Sequence, residues 1–171
     1  MFKPEAHSSP LFTGEQPRPP SPLTGDKRVR DVENLKREAI TFARFTQKRC
    51  NVVVITIRSL HDLRTLHNKK RCKFVFNLNG QFNVMVVDDN PSFNRINKIF
   101  AFSHTVMCNR DDGRVMSAGY IEVINTGAEL AVSLFAVSGH YRPEMRHLFP
   151  VRLFLSALGV RKDKITLYKW G

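Results

Sequence analysis

The 171-residue sequence has few cysteines, no long apolar run and a shortage of acidic residues, and each shortage excludes a class of protein. Cys50, Cys72 and Cys108 form no CxxC pair, which argues against a disulfide framework or a zinc ribbon and favours free thiols. No segment approaches the roughly 18 consecutive apolar residues that a membrane span needs, and no signal-peptide pattern begins the chain. We therefore expect neither a transmembrane segment nor ordinary secretion.

Lysine and arginine outnumber aspartate and glutamate by 27 to 15, which leaves a net charge of +12. Residues 27–73 hold 14 of the basic residues and 4 of the acidic ones, so ten of the twelve net charges lie there. Such a segment attracts nucleic acid, anionic lipid or an acidic protein face. A solvated basic surface is the alternative, because no RNA-recognition or helix-turn-helix signature accompanies the charge.

Proline divides the chain into two parts. Six of the nine prolines lie in residues 1–25, among serine, threonine, glycine and charged residues, a composition typical of a flexible tail. We expect residues 1–25 to be a disordered Pro-rich leader and residues 26–171 to form one domain. The leader is either a plain linker or a tail that a specialised bacterial export machine reads.

The domain is predicted to be α+β, a mostly antiparallel β-sheet with N-terminal and C-terminal helices packed on one face or end. Helices are predicted from three- and four-residue apolar spacing over 31–49, 59–66 and 143–158. Strands are predicted from β-branched runs and alternation over 51–58, 72–78, 81–87, 98–107, 114–124, 130–137 and 164–170. The five strands from 73 to 137 are expected to form a meander.

Glycine and proline mark the expected turns. Asn79-Gly80 predicts a hairpin turn in which both residues take positive φ, and Gly159 predicts the end of the last helix. Gly139 is expected to take a conformation barred to other residues, and Pro143 to start the following helix. Pro150 should kink or split that helix.

Two segments carry side chains capable of chemistry. His104, on a predicted strand, is either a catalytic residue or a hydrogen-bonded core residue. The segment 138–143 (SGHYRP) stands before a predicted helix and presents an imidazole, a phenol and a guanidinium: His140, Tyr141 and Arg142. Free N–H groups at that helix start, with the arginine, would favour a phosphate or carboxylate. Alternatively the tyrosine and arginine only buttress the sheet, and the histidine caps a carbonyl.

Several enzyme classes lack their motifs, since the sequence has no GxxxxGK[ST], GxSxG or HExxH. No metal site is predicted, and no cofactor is identified. A pocket with His104 and His140 as catalytic residues suits an anionic or nucleotide-like ligand, with one imidazole as general acid or base. Thr105, Tyr141 and Arg142 would bind that ligand. Group transfer, ADP-ribosyl transfer included, is conceivable with Glu122 as the carboxylate.

SGHYRP, preceded by Ala118-Gly119 and followed by Leu158-Gly159-Val160, resembles a domain of bacterial effector and toxin-like proteins. The same arrangement occurs in plant calmodulin-binding proteins of the IQM type. In that family a strand reading roughly Phe-His-His-Ser-Ser comes before the Ala-Gly segment. This chain matches it at Phe102, His104 and Thr105 and departs from it at Ser103 and Val106.

The resemblance covers about residues 73–168. It implies the α+β fold and suggests that His104 and His140 converge on one pocket. No IQ-type helix is evident, so calmodulin binding is not implied.

Two functions are therefore expected as alternatives. One is a host-directed effector or toxin-type domain involved in virulence, cytoplasmic in the producer and translocated into a host cell, with an enzymatic pocket of the group-transfer type. The other is a noncatalytic module that binds nucleic acid, anionic lipid or an acidic protein through residues 27–73.

Overall fold

The computed structural model describes residues 2–3, 21–25, 33, 36–41, 52–67, 71–87 and 104–170. Its strands are β1 Phe2–Lys3, β2 Val52–Thr56, β3 Cys72–Phe76, β4 Phe82–Val87, β5 Ser117–Asn125, β6 Leu130–Ala136 and β7 Ile165–Trp170. The helices are α1 Leu60–Arg64 and α2 Phe149–Leu158, with 3-10 turns at His104–Met107, Met145–Leu148 and Lys162–Lys164. This composition confirms the α+β class.

The strands form one mixed sheet in the order β1-β7-β6-β5-β3-β4-β2, in which β1 adds only a two-residue edge. Neighbouring strands are antiparallel except β6 and β7, which are parallel. The predicted meander is wrong, because β5 pairs with β3 and not with β4, which precedes it in the chain. The sheet centre is therefore built from the hairpin β3–β4 with β5 added on its β3 side.

The β3–β4 hairpin forms where Asn79-Gly80 predicts it, but with a different turn. Gly80 has a φ of 85°, whereas Asn79 is not among the non-glycine residues with positive φ. Gly80 N donates to Asn77 O, and Asn77 N donates to Gln81 O, so the loop has three residues and a left-handed glycine at its end. The prediction of two positive φ angles is wrong, since only the glycine needs one.

One face of the sheet, the helix-covered face, packs against α1 and α2. Its buried side chains come from the two helices and from alternate positions of the central strands, and include Leu63, Leu155, Phe74, Leu134 and Leu167. The helix ends follow local rules, because the Ser59 side chain accepts from Asp62 N and Gly159 caps α2. Pro150 lies in the first turn of α2, where its missing N–H costs nothing, after a separate 3-10 turn.

The opposite face, the second face, carries a smaller core. Val75, Met85 and Ala118 of the sheet are covered there by Met107, Val115, Leu23 and Tyr141. Leu23 pairs its backbone with Val115 in both directions, at 2.8 and 3.1 Å. Part of the predicted leader therefore belongs to the folded structure.

The predicted packing of an N-terminal helix on the sheet is not supported. Residues 33 and 36–41 have helical backbone, and all but Glu38 are exposed; the other positions of 31–49 lie outside the described residues. The predicted strand at 98–103 and the predicted turn at 88–92 also lie outside them. Within the described part of the chain, no helix combines the length and apolarity needed to cross a membrane.

Candidate functional site

His104 lies in a 3-10 turn packed on the second face, and the prediction that it occupies a strand is wrong. Its ring stands edge-on to Tyr120, with the centroids 5.5 Å apart and the planes at 84°. Its Nε2 is 2.7 Å from Gly119 O. Because a carbonyl oxygen only accepts, Nε2 must carry the hydrogen and Nδ1 is left as an acceptor. The turn thus fixes both the orientation and the tautomer of this imidazole.

Burial keeps His104 neutral. The side chain is 3% exposed, and burial, together with the positive charges of Lys73 and His140, lowers its pKa from 6.5 to about 3 against the opposing effect of the Gly119 hydrogen bond. A base this weak does not take up a proton at neutral pH. His104 can therefore hold a neighbour by accepting a hydrogen bond, but it is a poor general base.

Lys73 is a site residue that the sequence analysis missed. It lies opposite Tyr120 of β5 and Met85 of β4, which places it on the second face. Burial lowers its pKa from 10.5 to about 8. The signal was a single cation inside the apolar segment CKFVF of the strand predicted over 72–78, but Lys73 was counted only among the basic residues of 27–73.

His140 sits half-buried in the turn after β6. Its charge is the last of the effects that lower the pKa of His104, after burial and the charge of Lys73. Lys73 is the cross-strand partner of Tyr120, whose ring contacts His104. We call Lys73, His104 and His140 the Lys-His cluster. Within it, Lys73 and His140 keep some exposure, whereas His104 is enclosed.

Tyr141 belongs to the core of the second face. It is 4% exposed, and its hydroxyl donates to Gly113 O at 2.7 Å. Burial raises the pKa of this phenol far above its usual range. Its hydroxyl is thus occupied by the scaffold, as the buttressing alternative expected.

Arg142 is exposed and has a φ of 47°, so the left-handed residue of this turn is the arginine and not Gly139. Its N–H donates to Ser138 O. The expected helix start at Pro143 is wrong, since helical backbone begins at Met145. The predicted anion site required the N–H groups of a helix that begins at Pro143, and no helix begins there.

Thr105 and Glu122 already have partners. The Thr105 hydroxyl, on a side chain 6% exposed, donates to the Glu38 carboxylate. Glu122 Oε1 accepts from Arg71 Nε at 2.8 Å on the second face. Both side chains are therefore already engaged within the fold.

A thiol or metal site has little basis in the described part of the chain. Cys108 Sγ donates to the carbonyl oxygens of Arg110 and Arg114, each at 3.6 Å, and burial raises its pKa, which disfavours the reactive thiolate. Cys72 is buried and forms no disulfide among the described residues. No group of three or more His, Cys, Asp or Glu side chains there could hold a metal ion.

An aromatic row continues from the Lys-His cluster across the second face. Tyr120 of β5 lies opposite Phe135 of β6, and Phe135 lies beside Tyr168 of β7. The Phe135 and Tyr168 rings stack with centroids 4.8 Å apart and planes at 12°. The Arg71 guanidinium covers the Phe135 ring at 4.4 Å while it pairs with Glu122. The face thus combines cations with aligned rings.

No known protein family, curated protein or solved structure matches the chain.

Proposed function

We propose that the chain is a host-directed effector or toxin-type domain that binds an anionic, nucleotide-like ligand on the second face of the sheet. The observation that supports it best is the Lys-His cluster, in which the partly exposed Lys73 and His140 act electrostatically on the buried imidazole of His104. Attraction between Lys73 and a phosphate is stronger at a half-buried position than in water. The host-directed role comes from the resemblance of the SGHYRP segment.

Each member of the cluster has its own task in this proposal. Lys73 supplies positive charge to the ligand. His104, which is enclosed, stays in the scaffold, where its Nε2–H donates to Gly119 O. His140, which keeps contact with solvent, is the proton-transfer residue. Charge attraction therefore falls to Lys73 and proton transfer to His140.

Group transfer of the ADP-ribosyl type is part of the proposal. The glycosidic C–N bond of a nicotinamide dinucleotide breaks with nicotinamide as the leaving group, and the ribose carbon bonds to a nucleophilic atom of the acceptor. His140 takes the proton that this atom loses. Glu122 is not assigned as the catalytic carboxylate, because its carboxylate is paired with Arg71. Tyr141 and Arg142 are not assigned as ligand-binding residues, since the first is buried in the core and the second lies in an exposed turn.

Calorimetric titration of the full chain with ADP tests the binding step. Lys73→Met should weaken ADP binding about tenfold or more, the usual effect of losing a charge-assisted hydrogen bond. Binding to the unchanged chain should also weaken above pH 8, where Lys73 loses its proton. Lys162→Met is the matched control, because Lys162 is exposed in the 3-10 turn before β7.

His140→Ala should abolish activity in host cells while circular dichroism shows a folded protein. Unchanged ADP affinity in Lys73→Met and His140→Ala, both folded, would count against the proposal. A His140→Ala variant that unfolds would make His140 part of the scaffold.

The second candidate function, a noncatalytic basic binding module, is favoured by the charge distribution. Ten of the twelve net positive charges lie in residues 27–73. Lys69→Glu with Lys70→Glu should lower the affinity for a single-stranded oligonucleotide and flatten its salt dependence. Arg71 is left unchanged in this test, because it holds Glu122 and Phe135. Binding that ignores both substitutions contradicts this function.

A further inference from the structure

We infer that a cleft at one end of the helix-covered face binds a small carboxylate with a short apolar tail, and that Arg64 holds the carboxylate. The cleft has a volume of about 180 Å³ and opens to solvent. It shares no lining residue with the Lys-His cluster, so this inference does not depend on the proposed function.

Three segments of the chain build the cleft. One wall comes from α1, with Leu60 and Arg64. The second comes from residues 128–130, at the turn between β5 and β6. The third comes from residues 159–161 and Lys164, which connect α2 to β7. The cleft is therefore a product of tertiary packing and not of one local motif.

The interior of the cleft is apolar and preformed. Leu130 and Val160 are 7% and 3% exposed and belong to the larger core. Leu60 packs on the end of α2, where a Cβ built on Gly159 would lie 3.0 Å from Leu60 Cδ1. This close approach fixes α1 against the cap of α2, which lowers the cost of ordering the site when a ligand binds. A short apolar tail gains burial against these side chains.

The rim of the cleft is charged, and two of its cations already hold a carboxylate. Arg161 Nη1 donates to Glu129 Oε1 at 2.7 Å, and Lys164 Nζ lies 3.5 Å from Glu129 Oε2. Arg161 Nη2 also donates to Asp163. These four side chains carry two positive and two negative charges. They therefore compensate one another and fix this part of the rim.

Arg64 is the cation of the rim that stands outside this group. It lies in the last turn of α1 and is exposed, and its side chain has no hydrogen bond or ion pair among the described residues. A guanidinium offers N–H donors in a planar fork that fits a carboxylate bidentately. Because Arg64 borders the apolar interior, a carboxylate bound to it can place its tail inside the cleft.

The volume of the cleft limits the ligand to a small molecule. Sites for drug-sized ligands begin at roughly 300 Å³, and a water molecule takes about 30 Å³ in the liquid. A cleft of about 180 Å³ thus corresponds to about six waters, which suits a carboxylate with a tail of about four carbons. A nucleotide is too large for it.

An NMR titration of the isotope-labelled full chain with isovalerate tests the inference. We expect the amide resonances of Ala128 and Gly159 to shift, with a Kd of about 1 mM. Isovaleramide has the same shape without the charge, and acetate has the charge without the tail. Each of them should bind at least about fivefold more weakly than isovalerate.

Two substitutions should change the affinity for isovalerate in opposite directions. Arg64→Met should weaken binding about fivefold, the effect of losing one partly exposed ion pair. Glu129→Gln should strengthen binding about fivefold, because it removes a negative charge from the rim and releases Arg161 and Lys164. Damage to the fold does not produce tighter binding. Arg58→Met is the matched control, since Arg58 is exposed just before α1 and does not line the cleft.

Three results would overturn the inference. Equal binding of isovalerate and isovaleramide excludes a site that selects a carboxylate through Arg64. Shifts confined to Lys73, Tyr120 and their neighbours place the ligand on the second face. No shift at Ala128 and Gly159 in the folded chain excludes binding in the cleft. None of these results concerns ADP binding at the Lys-His cluster, so the proposed function stands or fails separately.

Discussion

The two faces of the sheet differ in what they bury. The helix-covered face encloses apolar side chains, among them Phe74, Leu134 and Leu155, each without measurable exposure. The second face encloses a neutral histidine and a half-buried lysine beside three aromatic rings. Apolar burial stabilises a fold without giving it chemistry, whereas burial of a titratable group costs stability unless it is hydrogen-bonded or paired, and such groups cluster at functional sites. The second face is therefore the side of the sheet that carries the chemistry of a functional site.

Gly119→Ala should break both faces at once and have the largest effect. A Cβ at this position would clash with the Phe135 carbonyl oxygen and lie 2.9 Å from Phe74 Cε2, both in crowded parts of the sheet. We expect a loss of about 3 kcal/mol or more in the free energy of unfolding, measured by urea denaturation.

The matched control for Gly119→Ala is Gly139→Ala. No atom lies within 4 Å of a Cβ built there, and its φ is not in the left-handed region. This control should change the free energy of unfolding by less than about 0.5 kcal/mol. If the two variants lost equal amounts of unfolding free energy, the close packing around Gly119 would not be the reason that this position needs a glycine.

His104→Gln should remove an acid sensitivity that belongs to the second face. Below pH 6.5 the unfolded chain takes up a proton at His104, while the folded chain does so only near pH 3, so folding stability is lost as the pH falls through this window. At pH 4.5 the loss should be about 2 kcal/mol relative to pH 7. Glutamine keeps a donor for Gly119 O and does not titrate.

Urea denaturation at pH 7 and pH 4.5 measures this difference. Between pH 7 and pH 4.5, His104→Gln should lose about 2 kcal/mol less unfolding free energy than the unchanged chain. His61→Gln, at an exposed position of α1, should leave the acid loss unaltered. An identical acid loss in His104→Gln and the unchanged chain would contradict a buried, neutral His104.

Tyr141→Phe should weaken the scaffold without touching the ligand site. The variant leaves the buried Gly113 carbonyl without its donor, which costs about 1 to 2 kcal/mol in the free energy of unfolding. ADP affinity should stay unchanged, since the phenol faces the core. A folded Tyr141→Phe variant with strongly reduced ADP affinity would return Tyr141 to the ligand site.

Lys73→Met should have the smallest effect on stability, and it should stabilise the fold where the other variants destabilise it. Below pH 8 both folded and unfolded chains carry the charge, so the folded chain bears its full desolvation cost; between pH 8 and 10.5 the folded chain sheds the proton first. The unchanged chain should therefore gain stability as the pH rises through this window.

Removing the charge by Lys73→Met should stabilise the fold by about 1 kcal/mol at pH 7 and abolish that rise. Urea denaturation between pH 7 and pH 10 measures both effects. A Lys73→Met variant less stable than Lys162→Met at pH 7 would contradict a desolvated Lys73.

Local rules predicted much of the fold. Ser59 caps α1, Gly159 ends α2 and Gly80 turns the β3–β4 hairpin, because each depends on residues a few positions apart. The strand prediction at His104 failed because that segment packs on the sheet as a short turn and does not extend it. The local sequence pattern cannot distinguish a strand of the sheet from a short turn packed on it, since each places apolar side chains against the same face.

The candidate site combines residues from distant parts of the chain. The sequence named His104 and His140, whose convergence on one pocket stays a prediction, but it did not name Lys73 as a site residue or the aromatic row. These residues come from strands far apart in the chain, and only the register places them side by side. The roles expected for Tyr141 and Arg142 depended on a helix start at Pro143 that does not form there.

The amino-acid sequence by itself determined the α+β class, the Ser59 and Gly159 caps, the place of the β3–β4 turn and the concentration of positive charge in residues 27–73, because these depend on neighbours in the chain and on composition. Only the tertiary structure decided that His104 is neutral, that Lys73 is desolvated and that Tyr120, Phe135 and Tyr168 form a row. Strand pairing desolvates these side chains and aligns them. It joins segments that are far apart in the chain, so the local sequence of each segment does not reveal which residues it will contact.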